Sequence, residues 1–264
     1  MQAKLKFTFL GTGTSQGIPV IACECPVCLS SDEKDKRLRV SLLVESSSTT
    51  VCIDAGPDFR TQMLRTDVKC LDAVVFTHEH NDHTAGLDDV RAFNYAQKKA
   101  MPLYTSTRVQ KRLEEQYSYI FKNASYPGVP KIEFCHINDA PFVIGDIRFT
   151  PIQLMHAELP VLGFRMELID GTDSFTYITD ANHIDEVELE KFRNTPHLVL
   201  NALKREKHHS HFSLQEAIAL AKKQEAGQLY LTHISHQMGK HELVQAGLPS
   251  GMQLACDGLS VEVY

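Results

Sequence analysis

Val74-Val75-Phe76-Thr77-His78-Glu79-His80-Asn81-Asp82-His83 runs an apolar segment straight into three histidines and two acidic side chains. Residues 71–76 are apolar and β-branched enough to form a buried strand. His78 and His80 lie two apart, so an extended or tightly looped backbone turns both imidazoles to one side. Imidazole suits zinc, iron and manganese, and two such ligands already make half of a tetrahedral site. Asp82 and His83 are adjacent, so their side chains diverge from the first pair and fit a second ion. Residues 84–96 read as a helix, at whose N-terminus a lone Asp82 would be a cap. Four ligand-type side chains within six residues outweigh that reading, and also that of a polar loop rich in histidine by chance.

Composition sets the frame. The chain has 264 residues, 43% hydrophobic and 23% charged, enough apolar material for a sizeable core, and no linker-like stretch divides it. One domain over 1–264 is expected. The net charge of -6, with no lysine or arginine block, disfavours nucleic acid and anionic membranes as partners. The apolar run after Met1-Gln2-Ala3-Lys4 breaks at Gly11, too short for a signal or a membrane span, so a cytoplasmic protein is expected. Seven cysteines is an odd count that argues against a disulfide framework.

Three of those cysteines are clustered as Cys23-Glu24-Cys25-Pro26-Val27-Cys28. A knuckle of this spacing places three thiolates on one loop, and tetrahedral zinc then needs one more ligand; His236 is the candidate. The alternative is three buried free thiols. Before the knuckle, residues 4–10 alternate as a strand that ends at Gly11-Thr12-Gly13-Thr14, a tight turn rather than a phosphate cradle. Residues 39–46 and 49–53 form a hairpin ending in Asp54-Ala55-Gly56. Residues 162–168 and 174–179 form another, through Asp170-Gly171, ending in Asp180-Ala181. This repeated pattern suggests an internal duplication. Between the halves, the aromatics Tyr95, Tyr104, Tyr117, Tyr119, Phe121 and Tyr126 fit ordinary helix packing better than a pocket mouth or a dimer surface.

Pro151-Ile152-Gln153-Leu154-Met155-His156 delivers a histidine at a strand end, where the first ion lacks a third imidazole. Asp180, also at a strand end, is needed as an anion between two cations. Ser213-Leu214-Gln215-Glu216 is a capping box that opens a helix, and His208, His209 and His211 precede it. A short strand over 229–232 leads into His233-Ile234-Ser235-His236, whose two histidines, three apart, can serve two neighbouring sites. Asp257-Gly258 turns a last hairpin over 253–264.

The element His78-x-His80-x-Asp82-His83 after a buried strand resembles the signature of the metallo-β-lactamase superfamily, which implies a four-layer αβ/βα sandwich. Gly11-Thr12-Gly13, Ile18-Pro19, the cysteine knuckle, the His211 segment, residues 231–237 and Leu248-Pro249-Ser250-Gly251 together resemble the PhnP-type phosphodiesterases, which open five-membered cyclic phosphates on ribose. That resemblance implies His78, His80 and His156 as ligands of one divalent ion, zinc or manganese. Asp82, His83 and His233 would hold the second, with Asp180 as bridge. Cys23, Cys25, Cys28 and His236 would bind a structural zinc, and His211 would be the general acid, with His208 and His209 as competitors. Asp54 would be the carboxylate that steadies the histidine loop. Two divalent ions less Asp82, Asp180 and a bridging hydroxide leave about one net positive charge, suited to a small, cyclic phosphodiester monoanion. Two rivals share the fold: a tRNA 3'-processing nuclease, whose basic arm has no counterpart here, and a pyrroloquinoline-quinone-biosynthesis type, which also has an early knuckle. A scaffold that keeps the ligands without turnover is a third reading, and a homodimer is compatible with all of them.

Overall fold

The computed structural model describes residues 5–122, 128–169, 171 and 173–263. Lys4, Tyr126, Asp170 and Tyr264 therefore lie outside the described residues.

Alternating apolar segments form strands in two matched sets. The first is β1 (Leu5–Gly11), β2 (Ser41–Glu45), β3 (Thr50–Ile53), β4 (Ala73–Val75), β5 (Met101–Thr105) and β6 (Ile132–His136). The second is β7 (Phe142–Ile144), β8 (Ile147–His156), β9 (Leu159–Leu168), β10 (Ser174–Ile178), β11 (His197–Asn201), β12 (Gln228–Thr232) and β13 (Met252–Leu254), and β14 (Ser260–Val263) closes the chain. One sheet has the order β14-β1-β2-β3-β4-β5-β6 and the other β13-β12-β11-β10-β9-β8-β7. In each, an antiparallel meander passes into parallel strands, at β3/β4 and at β10/β11. The two halves thus repeat one plan.

Strand periodicity sends alternate side chains to opposite faces. Phe7, Phe9 and Val75 meet Phe164, Phe175 and Val199 in the core between the sheets. Leu10 and Val74 turn outward against Phe59, Leu87 and Val90. On the far side, Leu198 and Leu200 pack against Leu214, Ala217 and Ala221. The result is helices, sheet, sheet, helices, as the four-layer reading expects. No described helix is long and apolar enough to cross a membrane.

Several local expectations are corrected. The helix expected over 84–96 is instead a short helix, Asn81–Thr84, a 3-10 turn, Leu87–Val90, and a helix, Arg91–Gln97. The break falls at Gly86, whose backbone N–H donates to Ala55 O and which sits so close to Gly56 that a Cβ would lie 2.0 Å from Gly56 O. The C-terminal hairpin does not form, because β13 pairs with β12 and β14 with β1 in the opposite sheet. Asp257 makes that crossing: its carboxylate accepts from Thr12 Oγ1 at 2.7 Å and from Leu38 N at 2.8 Å. Of the aromatic segment, Tyr117 is buried and donates to Thr84 O, whereas Tyr95 and Tyr119 are exposed. The Ser213/Glu216 capping box is present in full.

Gly86→Ala should cost about 1–3 kcal/mol of stability, the range for forcing a methyl group into a packed site. Urea unfolding checks it; an unchanged midpoint would mean that the 56/86 contact does not fix the start of the histidine loop.

Candidate metal centre

The rim where β3, β4, β8, β10 and β12 end gathers the candidate ligands. Asp54, Asp180 and His233 directly follow β3, β12 or nearly follow β10, and all three have left-handed backbones, with φ of 63°, 53° and 54°. That conformation costs a non-glycine residue roughly 1–2 kcal/mol, so neighbouring contacts must hold each one.

Asp54 is fully buried and accepts from Thr77 N at 2.9 Å, Thr77 Oγ1 at 2.8 Å and His83 Nδ1 at 2.7 Å. With its Nδ1 hydrogen committed there, His83 turns Nε2 toward Asp180 Oδ2 at 3.2 Å and Asp82 Oδ2 at 3.4 Å. His233 Nε2 lies 3.0 Å from the other oxygen, Asp180 Oδ1. His156 Nδ1 donates to Ser210 O at 2.7 Å, which fixes that ring. The rings of His78 and His80 are 4.6 Å apart, and those of His80 and His156 are 5.2 Å apart. His211 is 8% exposed, its ring 4.5 Å from that of His156 and 4.6 Å from that of His233, with Nδ1 3.9 Å from Asp180 Oδ1.

Potential ligand atoms fall into three groupings within 4.8 Å: His78, His83 and Asp180; Asp82, His83 and His233; and His156, Asp180 and His211. Asp180 belongs to two of them. His80, on an exposed turn, stands beside His78 and His156 but joins no grouping. The buried Nε2 atoms of His78, His83 and His233 have no hydrogen-bond partner. Nitrogens buried without a well-aligned partner are costly, so this set fits divalent cations.

Electrostatics point the same way. Burial alone would lower His83, yet Asp180, Asp82 and Asp54 raise it well above its ordinary value. Burial likewise opposes His233, but Asp180 and Asp82 carry it up to about 9. Asp180 is held well below the carboxylate range, His233 and His83 outweighing its burial. His78 is pushed far down by burial and by the charge on His83. Burial, then His233, drives His211 down to about 2. The metal-free centre therefore keeps protons on His83 and His233, facing Asp82 and Asp180, where ions would replace them.

At the knuckle, His236 Nδ1 lies 3.3, 3.4 and 3.6 Å from the Sγ atoms of Cys23, Cys25 and Cys28. The Cys28 backbone N–H is the main cause that brings the Cys25 thiol down to about 6, while burial lifts Cys28 to about 11. Three cysteine sulfurs and an imidazole within 4.8 Å suit a closed zinc site.

Sequence reasoning missed two participants. Thr77 orients both Asp54 and His78, the latter through Oγ1 3.0 Å from Nδ1, and its place inside the quoted stretch was the available signal. Lys204 lines a cavity of about 250 Å³ with Thr14, Ser15, Gln16, His208 and His211, and no described Asp or Glu takes part. No local pattern marks it.

A buried carboxylate ringed by histidines at the meeting rim of two such sheets is the arrangement of the metallo-β-lactamase fold. Residues 49–234 match the beta-lactamase superfamily domain. A crystal structure described as a new diphosphatase from the PhnP family superposes with a TM-score of 0.90 at 37% identity, covering 98% of this chain and 97% of that one. The chain belongs to the PhnP family within that superfamily. An octanoyltransferase of Porphyromonas gingivalis is 34% identical over 258 residues, 97% of this chain but 51% of that protein, so the chain spans about half the length of this relative. The probable metallo-hydrolase YhfI of Bacillus subtilis is 24% identical over 213 residues, covering 76% and 81% of the two chains. Its crystal structure gives a TM-score of 0.72 at 21% identity, covering 99% and 100%.

Because His83 and His233 must lose protons to take up ions, metal affinity should rise with pH, and binding should release protons, measurable by calorimetry in buffers of different ionisation enthalpy. With His233 raised from 6.5 to about 9 in the fold, its pairing with Asp180 stabilises the metal-free protein fully below 6.5 and is lost toward about 9. Thermal unfolding of metal-free protein should therefore weaken across that window; an increase there would contradict the charge assignment. At the knuckle, Cys25→Ser should lower zinc content and stability before it affects the histidine centre, and unchanged zinc by elemental analysis would remove the knuckle site.

Proposed function

We propose that this hydrolase cleaves a small, cyclic phosphodiester. His78, His80 and His156 would hold one divalent ion, Asp82, His83 and His233 the other, and Asp180 would bridge them; Cys23, Cys25, Cys28 and His236 would hold a structural zinc. The observation that carries the reading is Asp180, 2% exposed, with one oxygen 3.2 Å from His83 Nε2 and the other 3.0 Å from His233 Nε2. Two divalent ions, zinc or manganese, would supply an activated water at neutral pH and offset charge developing on the phosphoryl oxygens.

The chain's own residues supply the rest. Asp54, through His83 Nδ1 and Thr77, keeps the histidine loop from turning. Ser210 O does the same for His156. The cavity beside His211 carries Lys204 and, among the described residues, no carboxylate, which favours an anionic substrate, and about 250 Å³ suits a small one better than an RNA strand. His211 stands between that cavity and Asp180. In the substrate-free centre burial keeps its imidazole neutral; a bound phosphodiester brings the negative charge that lets it take up a proton and pass it to the leaving alkoxide.

Turnover of bis(p-nitrophenyl) phosphate in manganese tests the class, and no turnover with any divalent ion would favour a silent scaffold. A panel of cyclic nucleotides, cyclic sugar phosphates and lactones tests the substrate. Iron retained after anaerobic purification would favour the pyrroloquinoline-quinone type of chemistry. His211→Ala should keep its metals and lose about 10²–10⁴-fold in kcat on substrates with poor leaving groups. Equal loss on an activated aryl ester would contradict the acid role.

A further inference from the structure

We propose that Thr12 and Arg37, which supply no ligand themselves, are positioning residues that hold His233 in ligating geometry and so set the affinity of the second ion. The inference rests on the ligand set proposed above.

The argument begins with strain. His233 has φ 54° and must be held there from outside its own turn. Its neighbour Ile234 is clamped through both backbone groups: Ile234 N donates to Thr12 O at 2.9 Å, and Thr14 N donates to Ile234 O at 3.1 Å. Residues 12–14 therefore form the template on which the His233 turn rests. Gly11 and Gly13 allow the close approach this needs, since a Cβ at Gly11 would lie 1.9 Å from Arg39 O and one at Gly13 3.0 Å from Arg37 O.

The template is itself anchored by a buried polar relay. Arg37 is 3% exposed, and Nη1 donates to Thr12 Oγ1 at 2.7 Å and to Ala255 O at 2.6 Å, while Nη2 meets His241 Nδ1 at 3.1 Å. The Thr12 hydroxyl accepts from Arg37 and donates to Asp257 Oδ1 at 2.7 Å, so it joins a buried cation to a buried anion that do not touch directly. Arg37 has no described carboxylate within ion-pair distance. One hydroxyl thus orients the segment that clamps the ligand turn, and Arg37 also pairs with Ile18 at the entrance to the knuckle.

Thr12→Val removes the relay and keeps the shape; Thr12→Ser restores the hydroxyl. Full-length protein loaded with manganese would be followed by elemental analysis and by the electron paramagnetic resonance of the coupled ion pair as free manganese is lowered. The expected result is that Thr12→Val needs about tenfold more free manganese to fill one of the two positions. Its spectrum should pass from paired to single ions while the other ion and the knuckle zinc stay, and Thr12→Ser should behave as the unaltered protein. Arg37→Met should shift the same position in the same direction where it folds. Pairing unchanged in Thr12→Val, or both ions lost together in proportion to a lower Tm, would overturn the inference while leaving the ligand set intact. Failure of the unaltered chain to bind a coupled pair would overturn the ligand set and the inference with it.

Discussion

Asp180 is a carboxylate with almost no access to water, and that single constraint organises the rim. A buried anion costs several kcal/mol unless cations or hydrogen-bond donors face it. Here Thr179 Oγ1 donates to Oδ2 at 2.6 Å, and His83 and His233 each face a different oxygen. Without ions, the imidazoles satisfy the carboxylate only by keeping their protons, which raises His83 and His233 while depressing Asp180 and Asp82. The centre needs positive charge in either state, and divalent ions would provide it without the proton.

Bringing those groups together requires strand ends that turn sharply, and the fold obtains each turn from contacts distant in sequence. The His78 loop is held by Asp54 across 29 residues to His83, and its helix start by the closeness of Gly56 and Gly86. The knuckle loop leaves and returns at the Ile18/Arg37 bridge, and its imidazole, His236, lies three residues beyond His233. A zinc ion there would tie the N-terminal loop to the same turn that Thr12 and Thr14 clamp through Ile234. The cysteine cluster is thus joined to the histidine cluster by a few residues of backbone.

This also explains what could be read from the chain alone. The histidine loop was legible because its ligands are contiguous and follow an apolar run, and the knuckle because its thiols are close in sequence. The Ser213 capping box was legible for the same reason: both partners lie within one helical turn. The helix break at Gly86 was not, since its cause is a carbonyl thirty residues earlier, and helical propensity at 84–96 carries no trace of it. Nor was the fate of 253–264, where a turn-forming Asp257-Gly258 is used to cross between sheets because Thr12 and Leu38 bind the aspartate. Lys204 sits beside His211 because Leu203 N donates to Phe212 O and Leu214 N to Lys204 O, a pairing that no spacing reveals.

The duplicated Asp-Ala pairs show how one local motif acquires two uses. Asp54 and Asp180 have nearly the same backbone, φ 63° and 53°, and each is followed by a buried alanine. What separates them is the partner inventory. Asp54 receives an amide N–H, a hydroxyl and an imidazole N–H, which engage both oxygens and turn them toward the protein instead of toward an ion. Asp180 receives one hydroxyl, and its remaining directions open onto the Nε2 atoms of His83 and His233. Thr77 decides the first case, because its N–H and hydroxyl both reach Asp54; Thr179, on the same strand end as Asp180, contributes only its hydroxyl. A carboxylate at a strand end becomes a support or a potential ligand according to how many donors its neighbours direct at it, while the strand that precedes it holds the same place in both sheets, antiparallel to one neighbour and parallel to the other.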